Sequence, residues 1–178
     1  ATWGAGGKAT WGKEGTRRGP CAEYGGKGSR EAVNNPVELF RKEGSTEDVM
    51  ASPMLWEGVR TRLMACPPTC GAAAAVICSE AFAKKHGLNT KVSIAAQAMT
   101  TDFHSTFDSK DMMRVVGYDM ARDAGRQVYE AAGIGPGDVD VVELHDCFAQ
   151  NELITYEGLG LCPEGGAEKV VAGGDKTY

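Results

Sequence analysis

Three short runs constrain this chain more than anything else in it: AAAAVI at 72–77, KVSIAAQAMT at 91–100 and VDVVEL at 139–144. Each is too short for an average helix and is separated from the next by a stretch with helical spacing. By periodicity alone the 72–77 run suits a buried strand or a helix segment. Ser79 decides between them, because it is placed to cap a helix that ends in Lys84, Lys85 and His86, with Gly87 as the left-handed residue after it. A strand handing over to a helix at Ser79 therefore fits better than one long helix. Buried runs alternating with amphipathic helices predict an α/β fold built on a largely parallel sheet.

The helical segments carry their own punctuation. STEDVMAS at 45–52 offers Ser45 or Thr46 as an N-cap, with acids in the first turn where the helix dipole favours them. Met112, Val116, Met120, Ala124, Val128 and Ala131 recur in steps of three and four, so 111–133 is an amphipathic helical region with Gly117 as a break and Gly133 as a stop. GPGDVD at 135–140 reads as a turn. FAQNELITYEGLGL at 148–161 returns to helical spacing, and Gly160 is placed to end it.

Of the 178 residues, 42% are hydrophobic and 24% charged, ordinary values for a folded domain. The net charge of −5 argues against a generic nucleic-acid binder. No apolar run reaches the roughly 18 residues of a membrane span, and no apolar signal-type segment is present. The six cysteines form no dense framework, which predicts free thiols in a reducing compartment. Cys66, Cys70 and Cys78 lack Cys-x-x-Cys spacing and read as buried small hydrophobes, not as a metal site. Residues 1–28 differ from the rest, with nine glycines and a net +3 that leaves −8 elsewhere. So little apolar material predicts a disordered tail or a non-native leader. A basic, Trp-bearing arm touching nucleic acid is the alternative.

His145, Asp146 and Cys147 follow the 139–144 run directly. Ligands of open α/β sheets bind beyond the carboxyl ends of strands, which makes His145 a candidate site residue, and a loop histidine equally. Asp146 is suited to cap the helix beginning near Cys147. His145 and Cys147 sit two apart at a strand–helix junction, where side chains usually diverge, so a Cys–His dyad is not expected.

VELHDCFAQNELITYEGLGLCPEG at 142–165 resembles the thiolase superfamily, in the branch that carries His-Asp-Cys-Phe where ordinary thiolases have Asn-Glu-Ala-Phe. VNNP at 33–36, EDVMAS at 47–52, CPPTCGAAAAVICSEAFAKKHGL at 66–88, AMTTDF, VGYDMARDAGRQVYEAAGI and GDKTY extend the resemblance over 31–178. It implies a thiolase-like α/β fold with a partial, mostly parallel sheet. Residues 29–87 would be the end of the thiolase N-terminal half and 88–178 the beginning of the C-terminal half, with the Gly-rich 1–28 outside the match.

The implied activity is acyl transfer on acyl-CoA, the thiolytic cleavage of 3-oxoacyl-CoA in lipid and sterol side-chain β-oxidation. Coenzyme A enters as part of the substrate and no cofactor or metal is implied. His145 matches the motif position that hydrogen-bonds the thioester oxygen; Asp146, Cys147, Asn151 and Glu152 support it, and Cys147 is not the nucleophile. The family's nucleophilic-cysteine, Gly-His-Pro and Cys-x-Gly segments are not in these residues, so the chain alone is expected to be inactive. Cys70 stands where the family tends to have Asp. A homodimer and a peroxisomal location are implied for the intact parent, with a cytoplasmic one otherwise, and no nucleic-acid partner or membrane span. The alternatives are a thiolase-like retro-aldolase and a non-catalytic acyl-CoA or lipid-binding subunit.

Overall fold

The computed structural model describes residues 18–173. Helix α1 spans Arg18–Ala32 and packs on the short α2, Thr46–Ala51. A small antiparallel hairpin follows, β1 (Met54–Trp56) with β2 (Arg60–Thr61), and a 3-10 turn at Arg62–Met64. Helix α3 (Glu80–Lys85), the short α4 (Met112–Val115), the long α5 (Tyr118–Ala132), α6 (Ala149–Gly158) and α7 (Ala167–Ala172) complete the order.

The helix ends lie where local chemistry places them. Ser45 caps α2, accepting from the Asp48 amide while the Asp48 carboxylate accepts from the Ser45 amide. Ser79 caps α3 by accepting from the Phe82 amide, and Gly87 follows at φ 64°. Gly117 at φ 97° separates α4 from α5 and Gly133 at φ 71° stops α5. Such conformations suit residues without a Cβ, and so the breaks fall on glycines.

Helix α1 overturns the reading of 1–28 as a disordered tail, as far as residues 18–28 are concerned; residues 1–17 lie outside the described residues. Cys21, Ala22 and Tyr24 of α1 are almost wholly buried, in one core with Val49, Met64, Leu153, Tyr156 and Ala167. Full burial of each large apolar side chain contributes roughly 2 kcal/mol, and Tyr24 with its partners Val49, Met64 and Leu153 together outweigh the four helical glycines, whose poor propensity costs about 1 kcal/mol each. One of those glycines is required: a Cβ on Gly25 would stand 3.1 Å from Val49 Cγ1 and 3.2 Å from the Leu63 carbonyl oxygen. A side chain there would force the Val49 side chain of α2 and the Leu63 backbone to give way by a few tenths of an ångström.

The three predicted strands are a different matter. Segments 72–77, 91–100 and 139–144 run without a sheet ladder, and among the described residues the only named strands are β1 and β2. Val76, Ile77, Val92, Ile94 and Met99 are exposed on them. An extended backbone becomes a strand only when a second chain segment accepts and donates its hydrogen bonds, and the described residues supply none here. Cys66, Cys70 and Cys78 share this stretch and are exposed, not buried as expected.

The cap assigned to Asp146 is also corrected. Phe148 is the N-cap of α6, in extended conformation and with no side-chain cap bond, and Asp146 is two residues too early to serve.

Candidate functional site

The 145–148 junction is held by contacts from three directions. Ala65 and Phe148 form an isolated antiparallel bridge, and the Cys66 amide donates to the Cys147 carbonyl at 3.1 Å. The Arg60 guanidinium lies over the Phe148 ring, 3.8 Å from its centroid. One turn into α6, Asn151 Nδ2 donates to the His145 carbonyl oxygen at 2.6 Å. The peptide of His145 is thereby pinned while its side chain is exposed.

Below the junction sits a buried ion pair. Lys27 of α1 donates from Nζ to Glu152 Oε1 at 2.8 Å and to the Tyr156 hydroxyl at 3.1 Å. The Tyr156 hydroxyl donates to the same Glu152 oxygen. Glu31, one turn along α1, adds a second carboxylate at 3.2 Å. Burial works against the Lys27 ammonium, but the hydrogen bond and charge of Glu152, then those of Tyr156, outweigh it and hold its pKa above the ordinary lysine value. Burial, reinforced by Glu152, pushes the Tyr156 phenol up, so it stays a donor at neutral pH.

A cavity of about 330 Å³ opens beside this pair, lined by Lys27, Glu31, the 139–144 segment, Asp146, Glu152 and Tyr156. It adjoins a larger cleft that shares Lys27, Glu31, Glu143 and Asp146. Asp146 keeps exposed surface, while its carboxyl faces the cavity. Burial, and then the Glu152 charge, push that carboxyl up to about 6, against the pull of Lys27 and His145. Asp146 can thus hold or release a proton near neutral pH. Five carboxyls (Glu31, Asp140, Glu143, Asp146 and Glu152) against one ammonium make this cavity a poor seat for an anion such as a CoA phosphate.

Asp146 and Glu152 therefore meet at one cavity. His145 lines neither this cavity nor the larger cleft, and Cys147 is buried behind the junction. Lys27, Tyr156 and Arg60 were missed by sequence reasoning. The four-residue step from Glu152 to Tyr156 was a usable signal for Tyr156. Lys27 gave none, lying among glycines 125 residues away. Among the described residues no group of three or more His, Cys, Asp or Glu side chains is placed to hold a metal.

A thiolase C-terminal domain-like family model matches residues 101–178. Over 177 residues, 99% of this chain, the sequence is 48% identical to sterol carrier protein 2 of Oryctolagus cuniculus. Residues 101–178 thus resemble a thiolase C-terminal domain, and nearly the whole chain resembles sterol carrier protein 2. Benzoylsuccinyl-CoA thiolase subunit BbsB of Thauera aromatica is 37% identical over 85% of the chain. The thiolase-like fold is matched by the Ltp2-ChsH2(DUF35) aldolase at a TM-score of 0.74 and 20% identity, covering 97% of this chain and 45% of that one. The thiolase match also reaches into the Gly-rich 1–28, which the motif resemblance had left outside the family. The chain spans about a third of the length of the sterol carrier protein 2 relatives, 32% of the rabbit protein. Among the described residues no helix is long and apolar enough to cross a membrane.

Proposed function

We propose that these residues supply part of the thioester-binding face of an acyl-CoA thiolase, an acyltransferase that cleaves 3-oxoacyl-CoA in lipid and sterol side-chain β-oxidation. The observation that carries this reading is the exposed His145 imidazole on a backbone fixed by Asn151 and by the Ala65–Phe148 bridge, in a chain that resembles a thiolase C-terminal domain over residues 101–178. As the enolate forms, negative charge grows on the thioester oxygen. A donor already aimed there lowers the barrier by about 3 kcal/mol. His145 is that donor, directly or through water. Asp146, Cys147, Asn151 and Glu152 act through it by holding the junction and α6.

In this reading coenzyme A is a substrate moiety. The nucleophilic cysteine and the remaining catalytic segments come from the longer protein, which is a peroxisomal homodimer. Its other segments pair with the bare runs at 72–77, 91–100 and 139–144. The chain by itself turns nothing over.

The test is thiolysis of a 3-oxoacyl-CoA by the full-length gene product carrying these residues. His145→Ala should lower kcat by about 10²–10³-fold, as loss of one oxyanion donor does, with an unchanged unfolding midpoint. An unchanged kcat would remove His145 from the site. Cleavage that needs no free coenzyme A would replace acyl transfer by retro-aldol chemistry, and cysteine-dependent turnover by residues 1–178 alone would show that no further segments are needed.

A further inference from the structure

The antiparallel bridge between Ala65 and Phe148 sets two cysteines opposite each other. One step outward from that bridge on each side stand Cys66 and Cys147, joined by the Cys66 amide donating to the Cys147 carbonyl at 3.1 Å. Directly opposed residues of an antiparallel pair point to the same face, and a hydrogen-bonded pair has Cα atoms about 5.5 Å apart. A disulfide accepts Cα separations of roughly 4.4–6.8 Å. Both cysteines are free thiols here, Cys66 exposed and Cys147 buried.

Two further observations give the pair an order of reaction. Burial, and then the neighbouring Cys66, push the Cys147 thiol up, so Cys147 is the less reactive partner toward a solute. Arg60 stands beside it: the guanidinium interacts with the Cys147 charge and stacks on Phe148, while its buried Nε and Nη1 make no hydrogen bond among the described residues. That cation offsets part of the penalty that burial and the neighbouring Asp146 carboxyl impose on a Cys147 thiolate.

We propose that Cys66 and Cys147 form a peroxide-responsive dithiol site that closes to a disulfide across the junction. The Cys66 thiolate attacks one oxygen of hydrogen peroxide; the O–O bond breaks and hydroxide leaves, taking up a proton as water. The resulting Cys66 sulfenic acid is then attacked at sulfur by Cys147. Its S–O bond breaks, the Cys147 proton departs with the hydroxyl as a second water, and an S–S bond forms. The two thiols lose two electrons and one peroxide becomes two waters. Cys70 is nearer in sequence, but Pro67 and Pro68 lie between it and Cys66 and fix two successive φ angles, which holds that stretch extended. The bond would tie His145's junction covalently to the segment after β2.

The experiment exposes the purified chain to hydrogen peroxide, counts thiols under denaturing conditions and locates any crosslink by fragmentation mass spectrometry without reduction. The expected result is loss of two of the six thiols, a linkage between Cys66 and Cys147, and full recovery with dithiothreitol. Cys66→Ser should reduce that linked peptide to background, and Cys70→Ser should leave its yield unchanged. Cys147 is buried, so Cys66→Ser at the exposed position keeps the test independent of folding. A link from Cys66 to Cys70, a link between two chains, or peroxidation that stops on Cys66 with Cys147 still free would each overturn the proposal.

Discussion

Replacing Lys27 by methionine keeps the length and packing of the side chain and removes its charge together with its hydrogen bonds to Glu152 and Tyr156. The magnitude follows from burial. Lys27 and Glu152 side chains are 8% and 7% exposed, so deleting the ammonium leaves a carboxylate in the interior with no cation beside it. An orphaned buried charge of this kind costs about 3–5 kcal/mol; the Glu31 contact, with 29% of that side chain exposed, adds little. For a chain of this size each kcal/mol moves the melting temperature by about 2–4 °C, so Lys27→Met should melt on the order of 6–20 °C lower. The assay is urea unfolding at pH 7, followed by far-UV circular dichroism. Two companions make it decisive. Lys27→Met with Glu152→Gln should recover more than half of the loss, because the stranded charge is gone. Lys84→Met, which breaks the exposed pair with Glu80, should stay within about 0.5 kcal/mol. The pKa of Lys27 is raised, so its contribution is fully present below the unfolded lysine value and fades only in strongly alkaline solution. A Lys27→Met loss below about 1 kcal/mol, no larger than that of Lys84→Met, would refute the claim that this pair is buried and matters.

Two glycines of α1 should respond in opposite directions. A Cβ on Gly28 meets nothing within 4 Å, so Gly28→Ala should stabilise by roughly 0.5–1 kcal/mol; Gly25→Ala should destabilise, because its Cβ crowds the Leu63 backbone oxygen, and equal shifts in urea midpoint would contradict the α1–α2 contact. Asp146 predicts a pH effect of definite sign. Its folded pKa, about 6, is above the unfolded one, so ionisation favours the unfolded chain and stability should fall as pH rises between about 4 and 6. Asp146→Asn should flatten that slope. Water screens part of the penalty at a residue with exposed surface, so the measurement is the slope of stability against pH, and an identical slope in the variant would show that Asp146 does not carry it.

The His145–Phe148 junction lies within reach of its own sequence neighbours: Asn151 reaches back six residues to the His145 carbonyl. Local reasoning failed in the residues immediately before it. The 139–144 run has strand composition, but a strand is a relation between two segments, and no described segment forms a sheet ladder with it.

What the amino-acid order determined on its own was a set of local features, the Ser45 and Ser79 caps and the breaks at Gly117 and Gly133, together with the family resemblance. These depend on which side chains reach the nearest amides and on where a Cβ is forbidden, and a short window contains both partners. Tertiary structure alone decided that a glycine-laden segment becomes helix α1, that Lys27 meets Glu152, and that Cys66 faces Cys147. Those outcomes depend on burial and on pairs separated by 81 to 125 residues, where the favourable term exists only after the chain has closed the distance.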